Sequence, residues 1–160
     1  MKNNNELINR LNIILKKNQD TILDYEKALG EVKALHIRLF FQDQITERKH
    51  FATNIKIEIK NLGGEPLEQG SVEGAIHRNW VDVNATLIGK DEKAIINECI
   101  RGEKAACEEY EEILAKEIPK VSNIRELLAS HKISVMQAVE RLELMDQKDY
   151  SSTFWYAKKA

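Results

Sequence analysis

Four times along this chain an apolar stripe recurs at alternating three- and four-residue spacing, and each time one polar residue interrupts it. The first stripe is Ile8, Leu11, Leu15, Asn18, Ile22, Tyr25, Leu29 and Val32; the second is Phe41, Ile45, Arg48, Ala52, Ile55, Ile59 and Leu62. The third, Ile96, Cys99, Glu103, Ala106, Tyr110 and Ile113, has a carboxylate at its centre. The fourth is Ile124, Leu128, His131, Val135, Ala138, Leu142 and Met145. Such spacing is that of a helix seam packed on its neighbours. It predicts helices A (about 5–32), B (to about 62 after a break at 33–36), C (about 92–117) and D (about 123–147), hence an all-α bundle.

The stretches between the stripes determine how the helices connect. Residues 63–70, Gly-Gly-Glu-Pro-Leu-Glu-Gln-Gly, are the strongest loop signal, with glycine just past a helix end and proline after it. Ser71 offers an N-cap to a shorter helix over about 72–88, whose stripe is Val72, Ile76, Trp80, Val83 and Leu87. Gly89, Lys90 and Asp91 end it and cap helix C, and Pro119 enforces the C to D turn. Short turns make A and B, and C and D, antiparallel. The 72–88 helix is about 25 Å long, enough to carry the chain back along the bundle so that B and C run parallel. That single long crossover is the ferritin-like connection.

Length and composition agree with one such domain over 1–147, followed by a tail at 148–160 with Phe154, Trp155 and Tyr156 before a basic tip. The tail is expected either to fray or to dock aromatically on the bundle or a sister subunit. A net charge of -2 with interspersed signs gives no case for nucleic acid or an anionic membrane. No apolar run approaches a membrane span and no signal peptide opens the chain, so the expected location is the cytoplasm. Cys99 and Cys107, eight apart on one helix, are about 12 Å apart along its axis and read as reduced core thiols.

Placed along the bundle axis, the four interrupting residues come to similar heights. Asn18 and Arg48 each lie roughly 22 Å from the A to B turn, Glu103 about 17 Å from the same end, and His131 about 20 Å up from the far end. They form a polar layer near the midplane. Ferritin-like carboxylate proteins hold two metals at this height, with a Glu from each of two helices and Glu-x-x-His from each of the others. Here the one Glu-x-x-His is Glu47 to His50, and neither residue points inward; Glu98 and Glu140 also face out. The inward set has one carboxylate facing a guanidinium, which opposes metal binding. The expected arrangement is a buried Arg48–Glu103 pair, with Asn18 and His131 meeting its remaining donors and acceptors. A second candidate is a small-ligand pocket under the crossover helix, built from Glu47, His50, His77, Arg78, Trp80 and Glu98.

Leu62-Gly63-Gly64-Glu65-Pro66, Gly70-Ser71, Gly74, His77-Arg78, Trp80, Glu98, Arg101-Gly102-Glu103 and Tyr110 together resemble a bacterial ferritin-like four-helix-bundle family of unknown function. The resemblance implies the bundle with its crossover helix, and it covers about half the chain. Asn54, where the family suggests a carboxylate, and Val139, where it suggests a histidine, depart from it and remove would-be ligands. No chemistry transfers with the family, and kinship of fold does not establish function. The first expectation is therefore a non-enzymatic binding or assembly module without catalytic residues or cofactor. Its partner would be a second copy of the chain, another protein or a small molecule. The alternatives are an iron- or manganese-binding oxidase or iron-handling protein, and a stress-related dimer joined through the tail.

Overall fold

The computed structural model describes residues 4–68, 91–116, 118 and 123–147. Within them lie four helices: α1 (Asn4–Glu31), α2 (Leu35–Asn61), α3 (Glu92–Leu114) and α4 (Ile124–Asp146). They form the ferritin-like four-helix bundle that the stripes predict. α3 stops about a turn short of the expected end. The crossover segment at 72–88 and the tail at 148–160 lie outside the described residues.

Local chemistry explains where these helices begin and end. Asp91 caps α3, its carboxylate accepting the Ala94 N–H at 2.8 Å. α2 ends in a Schellman turn: Gly63 has φ 83°, its N–H donates to the Lys60 carbonyl, and the Gly64 N–H donates to the Ile59 carbonyl. A Cβ on Gly64 would come within 2.7 Å of Ile8 Cγ2, so the turn is also pressed against α1.

Hydrogen bonds at the α1–α2 turn fix the direction of α3. Glu92 Oε1 accepts the N–H groups of Lys33 (2.8 Å) and Ala34 (3.0 Å), and Arg38 Nη1 donates to the carbonyls of Leu29 and Val32. These two backbone amides hold the Glu92 carboxyl below its ordinary pKa. α3 therefore starts beside the α1–α2 turn and runs parallel to α2. At the other end Asn12 clips the chain leaving α2 along α1, donating to the Glu65 carbonyl and accepting the Leu67 N–H.

In cross-section α1 packs on α2 and α3, while α4 packs on α3 and, more sparsely, on α2. α2 and α3 thus face each other across the diagonal. The core divides in two. Toward the free end of α1 it is mainly aliphatic, with Leu7, Leu11, Ile14, Leu15, Ile55 and Ile59 beside Phe51 and Tyr110; toward the α1–α2 turn Tyr25, Phe40 and Phe41 join the aliphatic residues.

Several stripe positions need correction. Ile8, Leu29, Leu62 and Met145 are only half-buried, and Leu7, Ile14 and Ala28 lie inside. A straight helix drifts relative to a strict heptad seam, and Ile8 is drawn aside onto Gly64. Cys99 is a buried free thiol, but Cys107 is half-buried on the flank rather than in the core. Among the described residues no helix is long and apolar enough to cross a membrane.

Candidate functional site

Asn18, Arg48, Glu103 and His131 are 3%, 1%, 1% and 2% exposed, so all four lie inside. They do not form one continuous cluster. Arg48 on α2 reaches across the diagonal to α3, its Nη2 donating to Glu103 Oε2 at 2.7 Å. The other carboxylate oxygen, Oε1, accepts the Tyr25 hydroxyl at 2.7 Å. Both oxygens of Glu103 are thus engaged, one by a cation and one by a phenol.

Asn18 and His131 do something else. Asn18 Nδ2 donates to the Ile14 carbonyl and to Tyr110 Oη, both at 2.9 Å. Tyr110 Oη lies 3.3 Å from His131 Nδ1. Tyr110 Oη accepts from Asn18, and the direction of its bond with His131 Nδ1 follows the tautomer of the imidazole. The expectation that Asn18 and His131 complete the Arg48–Glu103 pair is not met, because two tyrosine hydroxyls lie closer to the groups concerned.

Those tyrosines form a crosswise pattern. Tyr25 follows Asn18 by seven residues on α1, and Tyr110 follows Glu103 by seven on α3. The two helices run antiparallel, so the tyrosine of each reaches the polar residue of the other: Tyr25 to Glu103 and Tyr110 to Asn18. A polar residue with tyrosine two turns later on the same face, present on two neighbouring helices, was the available sequence signal. Counting the tyrosines as apolar hid it.

Burial shifts the titration of these groups. It pushes Tyr25 well above its ordinary range, reinforced by Glu103, and Tyr110 up to about 12. Burial opposes the Arg48 charge, but Glu103 and Tyr25 outweigh it and hold the guanidinium above its ordinary value. His131 is lowered to about 4, first by burial and then by Arg48. Half-buried Asp24 on α1 is raised to about 7, by burial and then by Asp20. Sequence reasoning missed this last group; Gln44, one turn before Arg48, is buried as well.

The α2–α4 side of the layer has its own geometry. The Phe51 ring stacks on His131 with centroids 3.8 Å apart and planes 14° apart, and the Arg48 guanidinium carbon lies 5.3 Å from the same ring's centroid. Gln44 Oε1, Arg48 Nε and Nη1, and His131 Nε2 are buried there without hydrogen-bond partners.

These residues do not fit a metal. Glu103 has no free oxygen, and a guanidinium occupies the position where a second cation would bind. Glu47 is half-buried, His50 and Glu140 are exposed, and Glu98 pairs with Arg101 at 2.9 Å. Among the described residues no group of three or more His, Cys, Asp or Glu could hold a metal ion. Of the crossover pocket, Glu47 and His50 are on α2 and Glu98 is on α3. His77, Arg78 and Trp80 lie outside the described residues.

The profile of a family described as a domain of unknown function, DUF2383, matches residues 6–116. No curated protein matches the chain. A two-domain protein from Anabaena variabilis, with DJ-1/ThiJ/PfpI-like and ferritin-like domains, is similar in structure with a TM-score of 0.73 and 15% identity. The match covers 91% of this chain and only 40% of that one. A dodecameric thioferritin, the bacterioferritin-related protein from Bacteroides fragilis, is similar with a TM-score of 0.72 and 17% identity over 98% of this chain and 90% of its own. At these identities the likeness is one of fold.

Proposed function

This chain belongs to the DUF2383 family, and from that premise we propose that it is a ferritin-like bundle working as a non-enzymatic binding or assembly module rather than as a metal oxidase. One observation carries this reading: both oxygens of the midplane carboxylate are taken, by Arg48 Nη2 and by the Tyr25 hydroxyl, each at 2.7 Å. A carboxylate with a guanidinium on one oxygen is neutralised and shielded, and a metal would have to displace a fully buried cation. Metal analysis of protein purified without chelator tests this. The expected result is iron and manganese well below one per chain; a stoichiometric metal that is lost in Glu103→Gln would overturn it and favour the iron-handling alternative.

Assembly is the second half of the reading. Support comes from the dodecameric state of the Bacteroides fragilis protein. It also comes from Ile133, Met136 and Leu144, exposed on one outer stripe of α4 at 57%, 47% and 44%. Light scattering of the full chain is expected to give a mass of two or more copies, reduced by Ile133→Glu with Leu144→Glu. A monomer at all concentrations would discard assembly.

A further inference from the structure

Exposed apolar side chains are unevenly spread over the bundle. Among the described residues α3 has no large one and α1 only Ile13, whereas α2 exposes Leu35, Leu39 and Ile57 and α4 exposes Ile133, Met136 and Leu144. Leu39 and Ile57 are about five turns apart and so lie on one line of α2. That line and the α4 stripe belong to one face, because α2 and α4 pack side by side with Phe51 of one on His131 of the other. Ion pairs that lead away from the face mark its two edges: Lys49 toward Glu26 on α1, and Lys132 toward Glu111 and Glu143 toward Lys104 on α3.

We infer that two copies of the chain meet on this α2–α4 face, related by a two-fold axis that sets α2 of each against α4 of the other. The inference rests on the assembly reading above and names the surface that receives the α4 stripe. Charge selects α2 over a second α4. The cations of α4 are engaged within their own chain: Arg125 Nη2 donates to the Lys116 carbonyl, Lys132 pairs with Glu111, and the Arg141 guanidinium lies over the Phe40 ring. What remains exposed beside the stripe is acidic, Glu126 and Glu140. From Thr46 to Asn61 the exposed ionisable residues of α2 are Lys49, His50 and Lys60, with Lys56 half-buried, and no carboxylate there is exposed. Two α4 helices would bring acid against acid, whereas α4 on α2 brings acid against base.

Positions along the bundle fit the two-fold. With stacked Phe51 and His131 taken as level, a rise of about 1.5 Å per residue puts Ile57 about 9 Å toward the free end of α1 and Leu144 about 20 Å toward the α1–α2 turn. The point midway between them, about 5 Å toward the turn, is also midway between Ile133 and Met136, at about 3 and 8 Å. A two-fold axis through that point, perpendicular to the helices, sets Ile57 on the partner's Leu144 and Leu144 on the partner's Ile57. Ile133 and Met136 then lie on either side of the axis, and Lys56 comes within about one turn of the partner's Glu140.

Light scattering of the full chain tests the surface. The unmodified chain is expected to have the mass of an even number of copies, and Ile57→Glu about half of it or less, with the helical circular dichroism unchanged. Cross-linking tests the axis. In a Cys107→Ser background, Ile57→Cys with Leu144→Cys and a short bismaleimide should give covalent dimers and nothing larger, because a two-fold contact closes on itself. Within one chain the two positions are about 28 Å apart along the bundle, beyond the linker's reach. A mass unchanged by Ile57→Glu would overturn the inference; if Ile133→Glu with Leu144→Glu still lowers it, assembly stands without this surface. A monomer at all concentrations would remove both readings. Absence of covalent dimers, or a ladder of trimers and larger species from a head-to-tail contact, would overturn the two-fold. Should Ile57→Glu fail to fold, the cysteine pair still decides.

Discussion

The α1–α3 half of the polar layer and the α2–α4 half contain similar residue types and are equally buried, yet they treat those residues differently. On α1 and α3, Asn18, Tyr25, Glu103 and Tyr110 bond one another or Arg48, and none has a side-chain atom among the orphans. On α2 and α4, Gln44, Arg48 and His131 each keep at least one unmet atom. Packing accounts for the contrast. The crosswise Asn–Tyr and Glu–Tyr pairs need α1 and α3 close and in register, and bring hydroxyls to the polar atoms. Across α2 and α4 the facing groups are a phenyl ring and an imidazole, which fill space by stacking and supply no acceptor to Arg48. One half of the layer specifies helix register, and the other holds unspent hydrogen-bonding capacity.

Removing the group that joins the two halves should have the largest effect. Glu103→Ala strands a buried guanidinium and is expected to lose about 3–5 kcal/mol in urea unfolding. Replacing both partners, Arg48→Met with Glu103→Leu, should recover much of this, because an apolar pair of similar volume carries no desolvation penalty. If the single and double variants unfold alike, the pair is not the joint between the halves.

pH separates the halves with opposite signs. His131, on the open half, has a folded pKa of about 4, below its ordinary 6.5. Its contribution is present above pH 6.5 and is lost as pH falls toward 4, by roughly 3 kcal/mol at most. Asp24, on α1 beside the closed half, is raised from 3.8 to about 7. It stabilises while protonated, and that contribution is lost as pH rises from 3.8 through 7. The two slopes oppose each other between pH 4 and 6.5, so the unmodified chain should show a shallow stability profile there. Asp24→Asn should make stability rise with pH across that window, and His131→Phe should make it fall. Parallel profiles in the two variants would contradict the assignment.

On the closed half, Tyr25→Phe removes the phenol bond to Glu103 Oε1 and keeps the ring against Phe40 and Phe41, whose centroids lie 6.2 and 5.2 Å away. A hydrogen bond to a charged group contributes about 1.5–3 kcal/mol, and a loss of that order in denaturant midpoint is expected. Tyr110→Phe should cost less, since the groups it leaves are neutral. A Tyr25→Phe variant as stable as the unmodified chain would mean that Arg48 alone satisfies Glu103.

Much of this was legible in the stripes. The four helices, their order, the parallel course of α2 and α3 and the Arg48–Glu103 pair follow from where apolar and polar residues fall at helical spacing. The wiring of the layer did not follow, for a physical reason: periodicity assigns a residue to a face, while a hydrogen bond depends on which of several facing polar atoms is nearer by an ångström or two. Tyr25 and Tyr110 were placed on the correct face and counted as apolar. Gln44 falls one turn before Arg48 on α2, but nothing in the spacing shows that its carbonyl would be buried unmet. Of the crossover pocket, Glu47 and His50 lie on α2 and Glu98 on α3, and its other three residues lie outside the described ones.

Gln44→Leu is expected to change least, and its sign is what makes it informative. Leucine has nearly the volume of glutamine and needs no partner, so replacing a buried carbonyl oxygen that bonds nothing should leave the fold unchanged or raise its stability by about 1 kcal/mol. The same exchange of Asn18 for leucine, at a position 3% exposed, removes the donor to Tyr110 and should destabilise. Two amides at similar depth would then respond in opposite directions to the same chemistry, with urea midpoints as the measure. A clear loss of stability in Gln44→Leu would mean that its oxygen is bonded in solution. The contrast between the halves would then lie in hydration of the α2–α4 side rather than in unmet capacity.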